Sequence, residues 1–139
     1  MKNKKFNAYY VLRIEKGEDV IEALKQFACE TKIFSAFFFG LGVGQDLELG
    51  YFDAAKKDYR KKKLTGEYEF TSLSGNISRF TDQPAIHCHV TITDQNFQAF
   101  GGHLFSAKVP ATCEIVVFPL DEPLMRFEDE PTGLRLLKI

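Results

Sequence analysis

Residues Ile86–Leu104 read IHCHVTITDQNFQAFGGHL, and their pattern sets the architecture expected of the chain. Ile86 to Thr93 alternates and is rich in β-branched residues, the signature of a strand. Asp94, Gln95 and Asn96 are turn formers, and Phe97 to Leu104 reads as the returning strand of a hairpin. The same stretch holds His87, His89 and His103, which are all three histidines of the protein. Residues two apart on a strand share a face, so His87 and His89 point together, their Cα atoms roughly 6.5 Å apart at about 3.3 Å of rise per residue. A three-residue loop that pairs Thr93 with Phe97 places His103 opposite His87 on that face. A two- or four-residue loop turns His103 away, unless a bulge at Gly101–Gly102 restores it.

Three neutral imidazoles on one face form the ligand set of an open zinc site, with a fourth position left for water or substrate. Nickel, copper and iron also accept imidazole, so the expectation is a divalent metal, with zinc first. The competing reading is a chance HxH pair on a solvated face, with His103 in a loop. The apolar neighbours Ile86, Val90, Ile92, Phe100 and Leu104 favour a substantially buried hairpin, where unpaired imidazoles would be costly. Cys88 points to the opposite face and reads as a small buried hydrophobe rather than a ligand.

The 139 residues suit one domain spanning residues 1–139, long enough for a proper core. Fourteen phenylalanines and no tryptophan mean that phenylalanine carries much of that core. A formal net charge of −1 and a pI near 6.3 give no overall electrostatic reason to bind nucleic acid. Cys29, Cys88 and Cys113 are odd in number and lack CxxC spacing, which suits reduced thiols in a cytoplasm. The start, MKNKKFNAYYVLRIEKG, is basic, but its apolar run is short and broken by Arg13, so neither a signal peptide nor a membrane span is expected.

Along the chain, Phe6 to Ile14 reads as a first strand, followed by an amphipathic helix from Glu18 to Thr31. Val20, Ile21, Leu24, Phe27 and Ala28 recur at helical spacing there, forming an ordinary core stripe. Ile33 to Phe39 suits a buried strand, and GLGVGQD, Gly40 to Asp46, a tight loop beside a site. That loop lacks the full dinucleotide fingerprint, and no helical pattern follows it. Leu47–Phe52 and Glu67–Ile77 read as strands, and Arg79–Pro84 as a turn. Lys56, Lys57, Arg60, Lys61, Lys62 and Lys63 either meet phosphate or an acidic partner, or simply guard an edge strand; Lys61, Lys62 and Lys63 are the candidate nucleic-acid contacts. In the strand Ala111–Phe118, Glu114 shares a face with Val116 and Phe118, either as a surface carboxylate or as a fourth ligand or general base. Beyond it, Pro119, Pro123 and Pro131 mark an irregular acidic stretch, and GLRLLKI adds a last short strand or covers an edge.

These pieces together resemble the plants-and-prokaryotes-conserved (PPC) domain in its stand-alone prokaryotic form. The likeness runs through YYVLRIEKGEDVIEALKQFA, GLGVGQDLELGYFD, GEYEFTSLSGNIS, IHCHVTITD, the GGHL at Gly101 and ATCEIVV, and their order and spacing are more specific than any one of them. The resemblance implies an α+β fold, a curved, mostly antiparallel β-sheet with one main amphipathic helix, assembled as a homotrimer. It also implies a metal at the HxH and GGH histidines, here His87, His89 and His103. In the strand that begins G-R-F-E in plant members, Glu67 and Tyr68 replace the arginine and phenylalanine. The chain has no RGRP core of an AT-hook, so its DNA association rests on analogy. A fainter similarity, confined to the HxH…H pattern, is to acetolactate decarboxylase.

Two functions from different classes follow. One is a metal-containing trimeric module with a DNA-associated or regulatory role, binding DNA weakly and salt-sensitively. The other is a zinc-dependent enzyme or sensor acting on a small polar metabolite at the open metal position. A third reading, a metal that only staples the hairpin, needs a fourth protein ligand such as Glu114.

Overall fold

The computed structural model describes residues 1–139. Nine strands and one helix follow in the order β1 (Lys2–Phe6), β2 (Tyr9–Glu15), α1 (Val20–Thr31), β3 (Ala36–Asp53), β4 (Asp58–Phe80), β5 (Gln83–Thr93), β6 (Ala99–Lys108), β7 (Thr112–Pro119), β8 (Met125–Asp129) and β9 (Leu134–Lys138). The fold is α+β, one helix against a sheet ordered β1-β2-β7-β3-β6-β5-β4-β8-β9. The additional pairing of β3 with β4 closes β3, β6, β5 and β4 into a circuit. Every pairing is antiparallel except a single parallel bridge, Arg79 to Met125, which makes the sheet mixed rather than wholly antiparallel.

The long hairpin of β3 and β4 departs most from the sequence reading. GLGVGQD is no loop: it lies inside an 18-residue strand that also absorbs Leu47–Phe52. Its glycines let other groups approach, which is their other use in a strand. A Cβ at Gly44 would overlap the Phe70 ring, and one at Gly40 the Glu114 carbonyl. Register shifts at Gly40/Gly42 and Gln45/Leu47 interrupt the ladder there. One half of β3 thus pairs with β7 and the other with β6, while β4 follows it throughout.

Two other boundaries differ. The first strand is really the hairpin β1–β2, turning at Asn7, whose φ of 28° only a turn former accepts readily. The Arg79–Pro84 turn shrinks to Thr81 and Asp82, because β4 and β5 stay paired out to Phe80 and Gln83. Helix α1 begins after Asp19, whose carboxylate accepts from the N–H of Ile21 and of Glu22. Its other oxygen accepts from Ala107 N–H at 2.9 Å and so ties the helix to β6. The face with Val20, Leu24, Phe27 and Ala28 packs across β5 and β6, and 25 apolar residues form one buried cluster. No helix is long and apolar enough to cross a membrane.

Candidate metal centre and its cleft

Alternation along β5 sends Cys88, Val90 and Ile92 into the core beneath α1 and leaves His87 and His89 on the outer face. Cys88 is fully buried, as a small hydrophobe. The connection to β6 is longer than expected. Thr93 pairs with Ala99, so the loop holds five residues, and His103 sits opposite His89 rather than His87. The Asp94 carboxylate sets this length by accepting from the N–H of Asn96 at 2.8 Å and of Gln98 at 3.0 Å, while Phe97 takes a left-handed φ of 60°. Adding two residues to the loop preserves the parity of the register, so all three histidines still share one face. No bulge at Gly101–Gly102 is needed in this pairing.

The three rings form a nearly equilateral triangle, with centroids 5.1, 5.2 and 5.3 Å apart. One nitrogen from each lies within 4.8 Å of the others. Nitrogens at a tetrahedral zinc ion stand about 3.3 Å apart for Zn–N bonds of about 2.0–2.1 Å, so small ring rotations would suffice. His103 Nδ1 is buried without a hydrogen-bond partner, which ordinarily costs about 1–3 kcal/mol. The donor set therefore fits a divalent ion accepted by neutral imidazoles.

Electrostatics keep two of the rings ready to ligate. Burial, then the neighbouring Arg126 charge, holds His87 below the ordinary imidazole range. Burial, helped by the other imidazoles, pushes His103 down to about 4. The unfolded chain therefore takes up more protons than the folded one as pH falls from 6.5 toward about 4. Metal-free protein is expected to lose stability through that window on acidification, with this contribution flat above it. Thermal melts of chelated wild type and a His103→Asn variant test this: the variant should have the shallower pH dependence, and a wild type of constant stability across the window would refute it.

Sequence reading missed the groups around the triangle. Arg126 of β8 reaches across from a stretch taken as irregular. It donates through Nε to Ser78 Oγ at 2.7 Å, through Nη2 to Asn76 Oδ1 at 2.8 Å and through Nη1 to the Arg135 carbonyl, and Nη2 stands 3.4 Å from His87 Nδ1. The available signal was a hairpin pattern: MRFED and LRLLK flank a turn containing Pro131 and Gly133, where Asp129 accepts from Thr132. The Tyr59 ring lies 5.0 Å from that of His103 and the Phe105 ring 4.6 Å from it, both tilted. Gly50 makes this possible, because a Cβ there would strike both rings. His87, His103, Tyr59 and Arg126 open into a cleft of about 800 Å³, and His89 faces a hollow of about 430 Å³ with Ser72, Ser74 and Phe100.

The remaining candidates lie elsewhere. Glu114 is exposed, paired between Arg13 and Leu41, and outside the histidine group. Lys61 pairs with Glu48 at 3.1 Å and lies over the Phe105 ring, which turns it toward the site. Strand alternation puts Lys63 on the face of Lys61 and Lys62 on the other, so the exposed lysines do not form one patch within a single copy.

The model of the Plants and Prokaryotes Conserved (PCC) domain matches residues 1–121. Three solved structures are similar over 99% of this chain and 96% of their own. A Bacteroides thetaiotaomicron protein at 30% identity and TM-score 0.95, and a Ralstonia eutropha protein at 32% and 0.92, carry names that propose DNA binding. The third, at 37% and 0.88, is a metal-containing protein from Archaeoglobus fulgidus. No curated protein is significantly similar to the chain.

Proposed function

The chain belongs to the Plants and Prokaryotes Conserved (PCC) domain family, and from that premise we propose a metal-binding protein, assembled as a homotrimer in the cytoplasm, with a DNA-associated regulatory role. The observation that carries the metal is the triangle of His87, His89 and His103, whose nitrogens converge within 4.8 Å. The metal-containing relative supports it. Zinc is the ion we assign, since three neutral imidazoles and an open position suit it. When bound, the ion would supply Lewis acidity and an exchangeable coordination position. The protein's own residues hold His87 and His103 neutral, wall the cleft and fix a cation, Arg126, beside them.

The DNA role comes from the names of relatives and from the basic hairpin of β3 and β4. The one helix has its apolar face against the sheet, and its exposed side carries Glu22 and Glu30 beside Lys25, so it offers no reading head for a groove. Binding is therefore expected to be weak, indifferent to sequence and driven by counterion release from the lysines, multiplied by three copies. A duplex titration at two salt concentrations tests this. Affinity should fall steeply with salt and vanish when Lys61, Lys62 and Lys63 are neutralised, and should survive His87→Ala in intact trimers. Tight, sequence-specific binding at physiological salt would contradict it.

A second reading, an enzyme or sensor for a small polar metabolite, is favoured by the cleft that His87 and His103 share with Tyr59 and Arg126. It predicts the reverse pattern: ligand binding lost with the histidines and indifferent to Lys62 and Lys63, Lys61 alone being turned toward the site.

A further inference from the structure

Three neutral imidazoles bring no negative charge to a metal site. The charged groups lining the cleft are Lys25, Arg126 and Arg135, with Lys61 close by over Phe105, and no carboxylate lines it. Lys61 is offset by Glu48, but Arg126 is not: its partners Ser78, Asn76 and the Arg135 carbonyl are all neutral. A divalent ion at the histidines therefore adds two positive charges beside one already fixed and half-buried. Like charges in that setting need an anion to offset them.

Arg126 is placed to help hold one. A guanidinium has five N–H donors. Three are taken by Ser78, Asn76 and Arg135; of the other two, one faces His87 at a long 3.4 Å and one has no partner. Tyr59 shares the cleft, with its phenol ring 5.0 Å from that of His103, and brings an O–H donor to it. The rest of the wall is mixed: Phe80, Ile86, Leu134 and Leu136 give it an apolar part, and Lys25, Thr81, Gln83 and Arg135 a polar one. Arg126, Leu134 and Leu136 lie on β8 and β9, beyond residues 1–121, so this side of the cleft falls outside the part matched by the family model.

We infer that the cleft binds a small organic carboxylate, its head shared between the metal's open position and Arg126, and its hydrocarbon body against Phe80, Ile86, Leu134 and Leu136. The inference rests on the metal reading above. A carboxylate with a hydrocarbon tail suits the site, because the unpartnered Arg126 N–H and the Tyr59 phenol meet its head, and Phe80, Ile86, Leu134 and Leu136 reward its tail.

The test uses the full chain loaded with Co2+, whose visible spectrum reports its ligands, titrated with isovalerate, the neutral isovaleramide and inorganic phosphate. Isovalerate should change the spectrum at millimolar concentration, and isovaleramide should not. Arg126→Gln should bind cobalt in the same stoichiometry and lose roughly tenfold to a hundredfold in isovalerate affinity, the scale of a charge-assisted hydrogen bond. Should that variant misfold, Tyr59→Phe removes only a hydroxyl and should weaken isovalerate by about threefold to tenfold. A cobalt-loaded protein whose spectrum ignores isovalerate overturns the inference, as does a response to phosphate alone or unchanged affinity in the folded variants. Failure of the wild type to take up cobalt overturns the metal reading instead, and this inference with it.

Discussion

Protein purified without a chelator or a histidine tag is expected to carry close to one divalent ion per chain, and His87→Ala or His103→Ala to lose it. The expectation follows from geometry. Each ring supplies one nitrogen to a triangle that no cysteine or carboxylate joins, so removing one ring leaves two of the three ligands. Glu114 offers no rescue, because β7 presents it between Arg13 and Leu41. Metal at a hundredfold excess over its Kd stabilises the folded state by about 2.7 kcal/mol. A chain of this size should then melt roughly ten degrees higher with metal than without. Elemental analysis and paired melts measure both effects. Stoichiometric metal in a variant with all three histidines replaced by alanine would remove the assignment.

Phe39→Glu is expected to break the assembly into folded monomers. The outer face of β3 and β7 exposes Phe39 by 55%, Leu41 by 59%, Phe37 and Phe118 side by side, and a contiguous apolar patch of this kind marks an interface. The rings are ordered as well: Phe6 stacks on Tyr9, Tyr9 meets Phe118 at 5.7 Å, and Phe118 meets Phe39 at 5.7 Å. The sheet register carries this face onward, with Phe39 beside Ser74, Ser74 beside His89 and His89 beside His103. An interface on the aromatic rows would therefore run up to the histidines. A buried phenylalanine contributes about 1.5–3 kcal/mol, and a symmetric trimer loses that three times over when each copy carries a glutamate. Light scattering and sedimentation should report a trimer for the wild type and a monomer for the variant, with unchanged secondary structure by circular dichroism. A wild type that is monomeric at micromolar concentration would contradict the assembly. The number of copies comes from the resemblance, and the surface from the structure.

Much of this was legible in local pattern. The alternation in Ile86–Thr93, the turn formers after it and the shared parity of His87 and His89 depend on a two-residue period that any strand imposes. The same holds for the apolar stripe of α1, which needs only the helical repeat, and for Cys88 pointing inward. The glycines of GLGVGQD were misread because a glycine admits two explanations, a turn or a close neighbour, and the neighbours that decide between them, Phe70 and the Glu114 carbonyl, lie far along the chain. Which histidine faces His103 depended on one loop length, set by how many amides Asp94 could hold. Arg126 lay furthest from reach, 39 residues from His87, and its place follows from the single bridge that fastens β8 to β4. The sequence by itself determined that His87 and His89 share one face, because side-chain direction along a strand is local, whereas His103 joins them through the five-residue loop that the structure shows. Only the tertiary structure decided what surrounds them, because charge, burial and room at a site are sums over groups that folding alone brings together.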